Sequence, residues 1–381
     1  MLLRLLLIVL LPNLSHLAFA NETKKPDLNA IKVTETLYVI DSPPGMSANI
    51  GVVIGDDGLL IIDPGSRDKS FNASLNAEIR KISKKPYKYV VNTHNHRDHN
   101  GGNTFFAEMG ATIISQKNIR YLNDEDFRYK ATYDQLLFDK ELNVDLGSEK
   151  IVLHHVMSHT ANDVIVYIPG SNAVFTGDNH STVWGPNLRV GGLKNQSKVI
   201  NFALSLADQQ TTIVPGHGHF TDRRHLSKYQ NLTTEWADLV RKLHKLGITA
   251  QNIASHEDMK KIATAFQNGR PSSGSHNRIQ FVIDMEKTPH ISITQSALKA
   301  YIGNYQLNDG SIVEIKLINE HLFATVKGEF IRMLYPVSTT QFNFYGFKGS
   351  SGSYEFTHAS NGSPAKINYT FSGDTITGTR E

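Results

Sequence analysis

"VNTHNHRDHNGG", Val91 to Gly102, places three histidines and an aspartate within the six positions His94 to His99, directly after an apolar run. Side chains two apart on an extended segment point the same way, so His94 and His96 can reach one ion together. Asp98 and His99 lie just beyond, where the chain turns, and can face a second ion beside the first. Imidazole nitrogen and carboxylate oxygen suit zinc, and a catalytic zinc site keeps one position open for water. Two histidines are too few for tight binding, so further ligands must come from elsewhere in the chain. Three candidates stand at the ends of apolar runs beside glycine or small residues: His159 in "MSHTAND", Asp178 in "FTGDN" and His217 in "VPGHG". Strand ends are where folds present functional groups.

Working outward, the runs at 51–55 and 59–63 flank an Asp56-Asp57-Gly58 turn and predict a hairpin. Phe71, Leu75, Ile79 and Ile82 fall at helical spacing and predict a helix before Pro86. "YKYVVN" reads as the strand that delivers the histidine cluster, and Asn103 to Met109 as a helix after Gly101-Gly102. Strands are expected again near 111–115, 151–157, 164–168 and 173–176, and Tyr229 to Leu246 reads as an amphipathic helix. Short strands interleaved with helices predict an α/β protein of two sheets with helices outside. "NGRPSSGSHN", Asn268 to Asn277, reads as a loop. The first domain is expected over 21–290. From about Ser296 the pattern becomes all β: Val313, Ile315 and Leu317 alternate with charged residues, and turn residues at Asn308-Asp309-Gly310, Asn319-Glu320, Gly349–Gly352 and Asn361-Gly362 punctuate the chain. This predicts a small β-sandwich or barrel over 295–381, whose aromatics Tyr301, Tyr305, Phe342, Phe344, Tyr345, Tyr354 and Phe356 are expected to fill its core, with a binding face as the alternative.

The chain has 381 residues, 40% hydrophobic and 20% charged, with a formal charge of +3. That charge is too small to point to nucleic acid or a membrane surface. The first twenty residues, "MLLRLLLIVLLPNLSHLAFA", combine an early arginine, an apolar stretch and an Ala-Phe-Ala end, the pattern of a secretory signal peptide cleaved near Ala20. The expected location is therefore periplasmic or secreted, with no span in the mature chain. There is no cysteine, which removes disulfides, thiolate ligands and thiolate nucleophiles together. No G-x-S-x-G elbow and no phosphate-loop lysine is present, so serine and nucleotide chemistry find no support.

The sequence resembles the metallo-β-lactamase superfamily. The resemblance rests on His94-Asn95-His96-Arg97-Asp98-His99, on the later His159, Asp178 and His217 in that order, and on Asp63 in "LLIIDPG". It covers roughly Val33 to Asp284. It implies a four-layer αββα sandwich with a dinuclear site at one edge. One ion would sit on His94, His96 and His159 and the other on Asp98, His99 and His217, with Asp178 bridging as in the glyoxalase II-like branch. Asp63 would brace the site without binding metal. Ser158 stands where the family usually has glycine, and Asn179 follows Asp178 with no cysteine ligand anywhere, which argues against the cysteine-liganded β-lactamases.

Two cations a few ångströms apart lower the pKa of a shared water to about 7, and the resulting hydroxide attacks an acyl carbonyl while a metal stabilises the oxyanion. Asp98 would orient that hydroxide and carry a proton to the leaving group. The expected protein is thus an exported dinuclear zinc hydrolase acting on a small molecule with a β-lactam, lactone, ester or thioester bond. Iron or manganese are alternative metals, and a phosphodiesterase or an iron-dependent redox enzyme are the alternative activities. His154 and His155 are expected to split between a buried and an exposed face, and His219 to face solvent or to stand just behind the ligands. His180, Trp184, Arg189 and Lys194 lie on a Gly-rich stretch that either lines the pocket or is plain surface.

Overall fold

The hairpin before the histidine cluster sets the first sheet. The computed structural model describes residues 28–41, 47–122, 135–267, 275–326, 331–346, 351–360 and 362–381. The leader at 1–20 lies outside these residues, as do 268–274 of the expected loop, 349–350 and Asn361 of the expected turns.

Strands β1 (Asn29–Lys32), β2 (Leu37–Asp41), β3 (Ile50–Gly55), β4 (Gly58–Ile62), β5 (Tyr87–Val91), β6 (Thr112–Gln116) and β7 (Gln135–Phe138) form a seven-stranded sheet in that order. Its first half is antiparallel; β4 through β7 run parallel. Parallel strands need crossovers, and among the described residues these hold α1 (Lys69–Ile82) between β4 and β5, the helical turns α2 (Arg97–Asn100) and α3 (Asn103–Glu108) between β5 and β6, and the short α4 (Ile119–Leu122) after β6. Helix α1 starts where Asp68 accepts from the Phe71 amide at 2.8 Å. The second sheet has six strands, β8 (Glu141–Asp145), β9 (Lys150–Val156), β10 (Asp163–Ile168), β11 (Ala173–Ser181), β12 (Thr212–His217) and β13 (Thr221–Asp222), again in chain order.

Side-chain alternation stacks these parts into layers. Leu60 and Ile62 of β4 pack with Val164, Val166, Phe175 and Val214 of the second sheet, so the sheets lie face to face. Leu59 and Ile61, on the other face of β4, pack with Phe71, Leu75, Ile79 and Phe106 of the helices outside. In the second sheet Ile165, Val174 and Ile213 turn outward onto α5 (Gly192–Leu206) and α6 (Arg223–Lys245), through Val199, Ile200, Leu226 and Trp236. This is the expected αββα sandwich. Helix α6 begins earlier than its apolar periodicity indicated, because Asp222 caps it by accepting from the His225 amide at 2.8 Å. Helices α7 (Ala250–Ser255), α8 (Glu257–Phe266) and α9 (Ser275–Lys287) complete the outer layer. The expected loop at 268–277 therefore has its last three residues in α9. Among the described residues no helix is long and apolar enough to cross a bilayer.

After α10 (Gln295–Leu298), strands β14 (Gly303–Leu307), β15 (Ile312–Ile318), β16 (His321–Val326), β17 (Arg332–Met333), β18 (Tyr335–Pro336), β19 (Gln341–Phe344), β20 (Gly352–His358), β21 (Pro364–Phe371) and β22 (Asp374–Arg380) form a nine-stranded antiparallel sheet. Its order, β17-β16-β15-β14-β22-β21-β20-β19-β18, puts at its two edges strands joined by the single residue Leu334. The sheet must curl until those edges meet, which makes the module barrel-like. Tyr301, Tyr305, Phe342, Phe344, Tyr354 and Phe356 fill its core as expected, whereas Tyr345 lies outside it, because its ring packs toward Phe281 and Tyr335 on the outer face. Its outer face is a different matter. Ile318, Phe323, Met333, Tyr335 and Tyr345 belong to the same buried cluster as Leu188, Val199 and Phe281, so the module shares a core with the outer helices of the sandwich.

Candidate metal centre

Strand β5 ends at Val91, and the next eight residues turn over the edge where both sheets deliver their C-terminal ends. His94 and His96 come from the turn itself, Asp98 and His99 from α2, His159 from the turn between β9 and β10, Asp178 from within β11 and His217 from the end of β12. All seven side chains meet there. Donor atoms of His94, His96, His159 and Asp178 lie within 4.8 Å of one another, and so do those of Asp98, His99 and His217.

The closest approaches show what the arrangement is for. His94 Nε2 and His96 Nδ1 are 3.0 Å apart, and His96 Nδ1 and His159 Nε2 2.9 Å. Three imidazole nitrogens aimed at one point cannot all satisfy one another. At zinc–nitrogen bonds of about 2.0–2.1 Å, tetrahedral ligands stand about 3.3 Å apart, close to this spacing. In the second group His217 Nε2 is 3.1 Å from Asp98 Oδ2, and His99 Nε2 is 3.9 Å from the same oxygen. Asp178 lies between the groups: its Oδ2 is 3.5 Å from His159 Nε2, whereas its Oδ1 is 3.2 Å from His99 Nε2 and 3.4 Å from His217 Nε2. His99 Nε2 and Asp178 Oδ1 are buried without a hydrogen-bond partner, which a native protein tolerates where an ion completes the site. The donor set thus fits a divalent cation in each group.

Electrostatics sort the imidazoles. Burial, then the neighbouring rings, hold His94 and His159 well below the usual histidine value, and burial with Arg189 lowers His96 to about 4. These three are neutral lone-pair donors at neutral pH. Burial also disfavours charge on His99, but Asp63, Asp178 and Asp98 outweigh it and hold that ring well above its usual value. Burial raises Asp178 and Asp98, and the histidines around them more than reverse it, so both are carboxylates.

The supports are as specific as the cluster. Asp63 Oδ2 lies 2.8 Å from His99 Nδ1 and accepts from the Thr93 hydroxyl at 2.6 Å, while Oδ1 accepts from the Thr93 amide at 2.8 Å. Asp63 does this from a left-handed backbone (φ 53°), a conformation that costs a non-glycine residue about 1–3 kcal/mol. Fixing the outer nitrogen of a ligand histidine orients the ring and settles its tautomer. A β-carbon on Gly216 would stand 2.1 Å from Asp178 Oδ1, so only glycine lets β12 pass that carboxylate.

Several supports carry no sequence signature. Asp163, at the start of β10, accepts from the amides of Ser158, His159 and Thr160 at 3.1, 2.7 and 2.9 Å and so forms the turn that presents His159. Burial pushes Asp163 up to about 7 against the pull of those donors. Gln196 of α5 joins two ligand segments, accepting from Ser158 Oγ at 2.9 Å and donating to the Asn179 carbonyl at 2.8 Å. The Asn49 amide donates to the Gly216 carbonyl at 2.8 Å and its side chain to the Pro215 carbonyl at 3.0 Å, which fixes the His217 turn. An Asp or Gln far off in sequence shows its role only once the fold closes.

The remaining candidates separate. Trp184 packs on His217 at 4.5 Å between centroids, and Arg189 places a guanidinium nitrogen 3.5 Å from His96 Nε2, so these two stand at the cluster. His180 is fully buried in β11 against Tyr229, and Lys194 lies on α5 in a separate cleft, so neither lines the metal centre. His154 and His155 do not divide into a buried and an exposed partner. Both are half-buried, His154 3.2 Å from Glu141 and His155 3.0 Å from the Ala161 carbonyl oxygen, because β8 and the loop after β9 cover their two faces. His219 faces solvent beside Asp41.

Comparison with known proteins agrees with this geometry. Residues 43–222 match the model of the metallo-beta-lactamase superfamily. A metallo-beta-lactamase type 2 of Elizabethkingia meningoseptica is 27% identical over 166 residues, 42% of this chain and 64% of that protein. A protein of Schizosaccharomyces pombe named as a hydroxyacylglutathione hydrolase is 27% identical over 159 residues, 40% of this chain and 57% of the relative. The chain therefore spans a little under two thirds of these relatives. Among solved structures, a stereoselective inverting sec-alkylsulfatase of Pseudomonas sp. superposes with a TM-score of 0.53 at 16% identity, over 72% of this chain and 54% of that one, which is a likeness of fold. Residues 43–222, which carry the His/Asp cluster, are thus similar to the metallo-beta-lactamase superfamily of hydrolases.

Proposed function

We propose that the protein is an exported dinuclear zinc hydrolase that opens an activated acyl bond: a β-lactam, lactone, ester or thioester. The observation that carries this reading is the pair of convergent donor groups with one oxygen of Asp178 turned toward each. His94, His96 and His159 would hold one ion and Asp98, His99 and His217 the other. What such ions supply is Lewis-acid polarisation of an acyl carbonyl and acidification of water. The chain's own residues do the rest. Asp98 has the most exposed side chain of the two groups' carboxylates and stays ionised, so it orients a hydroxyl donor at its carboxylate and hands the proton toward the leaving group. Trp184 beside His217 and Arg189 beside His96 flank the approach and would position the acyl compound. The names of the two relatives, a β-lactamase and a hydroxyacylglutathione hydrolase, support an acyl target. Export rests on the leader at 1–20.

The test is metal analysis together with turnover of a chromogenic cephalosporin, a lactone, a thioester and an aryl phosphodiester, with and without a chelator, beside Asp98→Asn. Two zinc ions per chain and chelator-sensitive cleavage of an acyl substrate, lost in the variant, are expected. Cleavage of the phosphodiester alone, or activity indifferent to chelation, overturns the proposal.

A further inference from the structure

The junction between the outer helices and the C-terminal sheet encloses a second cleft of about 820 Å³, lined by none of the seven cluster residues. That volume is typical of small-molecule sites. One wall is apolar: Met285 of α9 and Ile293 are part-exposed and Ile291 is 42% exposed, over Phe281 and Leu298, which are buried. Large apolar side chains left accessible inside a concavity mark a site rather than a surface.

The rim carries more positive than negative charge. Lys194 and Lys198 stand one turn apart on α5, both exposed, and among the described residues neither has a carboxylate within ion-pair distance. Like charges at this spacing repel, and an anion placed between them removes the repulsion. The third cation on the cleft, Arg241, is already engaged by Glu286 at 2.6 Å and Asp238 at 2.7 Å. Glu320, in the β15–β16 turn, is the only carboxylate besides Glu286 on the lining, so the two lysines leave the rim net positive.

We propose that this cleft binds an amphipathic anion, with its single anionic head between Lys194 and Lys198 and its apolar chain along Met285, Ile291 and Ile293. The site is separate from the metal centre and does not depend on the hydrolase reading. It also gives the C-terminal module a task, since eight of the 26 residues lining the cleft, Leu322, Leu334 and Phe342 among them, come from that sheet and its turns.

The experiment is titration calorimetry of the full chain with decanoate, with decanol as the neutral probe of equal chain length. One saturable decanoate site per chain is expected, weakened at least tenfold in Lys194→Ala/Lys198→Ala and in Met285→Trp, and unchanged by a chelator. Decanol should bind at least tenfold more weakly. Because the lysines are exposed, their double variant keeps its fold, which circular dichroism checks even if Met285→Trp does not fold. Absence of saturable binding, equal affinity for decanol, or binding that the lysine variant spares and the chelator abolishes would each overturn the proposal.

Discussion

The Gly191 amide donates to the Tyr335 hydroxyl at 2.9 Å, and through that bond the C-terminal sheet holds a segment that reaches the His/Asp cluster. One residue earlier the Val190 amide donates to the Ser158 carbonyl at 2.8 Å, beside His159, and Arg189 stands over His96. The segment is thus tied at one end to the module and at the other to the ligand turn. Gly191 itself is left-handed (φ 78°), which lets the chain swing from this segment into α5.

Tyr335→Phe keeps the packing and removes the acceptor. An unsatisfied buried amide costs about 1–3 kcal/mol. Thermal unfolding should shift down by a few degrees, and KM for an acyl substrate should rise more than kcat falls, because Arg189 loses its anchor while the ligand set is untouched. Unchanged KM with unchanged stability would show that the Val190–Ser158 bond alone holds the segment.

Asp63→Asn tests the brace on His99. The variant keeps size but presents an amide nitrogen to either Thr93 or the His99 ring. Loss of such supports weakens metal binding by about 10–100-fold. Competition with a chromophoric chelator should show one ion released early and the other nearly unaffected, because Asp63 touches only the group containing His99. Parallel loss of both ions would assign Asp63 a global structural role.

Gly216→Ala adds a methyl group where Asp178 Oδ1 must lie, 2.1 Å away. Since Asp178 faces both groups, the expected outcome is loss of activity by two orders of magnitude or more with both ions weakened, at near-wild-type circular dichroism. Retained activity would mean that β12 shifts to admit the methyl group and that the close approach is not needed.

The parts of the site that are readable in sequence are those bound to local pattern. His94, His96, Asp98 and His99 sit in one turn, and His159, Asp178 and His217 each follow an apolar run, so local pattern marks them as candidates and the family resemblance implies that they share one edge. Two sheets with helices outside were legible from the interleaved strands and helices, but the unbroken apolar run Leu59 to Ile62 does not show that Leu60 and Ile62 face the other sheet while Leu59 and Ile61 face the helices. What was not legible depends on closure of the whole fold. Asp163, Gln196 and Asn49 look like ordinary polar residues until the turns they brace are adjacent. The docking of Phe323, Met333 and Tyr335 against Leu188 and Phe281 was equally hidden, because β alternation predicts which face is buried in the module but not that the opposite face is buried too.

Asp163→Asn separates support of His159 from ligation itself. The carboxylate accepts from three successive amides, at Ser158, His159 and Thr160, and from the Thr160 hydroxyl, all of them donors. An asparagine offers one acceptor oxygen and turns an N–H toward amides that are also donors, so at least one of those amides is left unpaired at about 1–3 kcal/mol. The Ser158–Thr160 turn must then open, and His159 moves away from His94 and His96. The group that depends on His159 should lose affinity, while the group of Asp98, His99 and His217 keeps its ion, the reverse of the outcome expected for Asp63→Asn. Cobalt substitution reads this directly through the visible spectrum at one and two equivalents. If both variants release the same ion, the two donor groups do not act as separate sites, and the division of His159 from His99 between them is wrong.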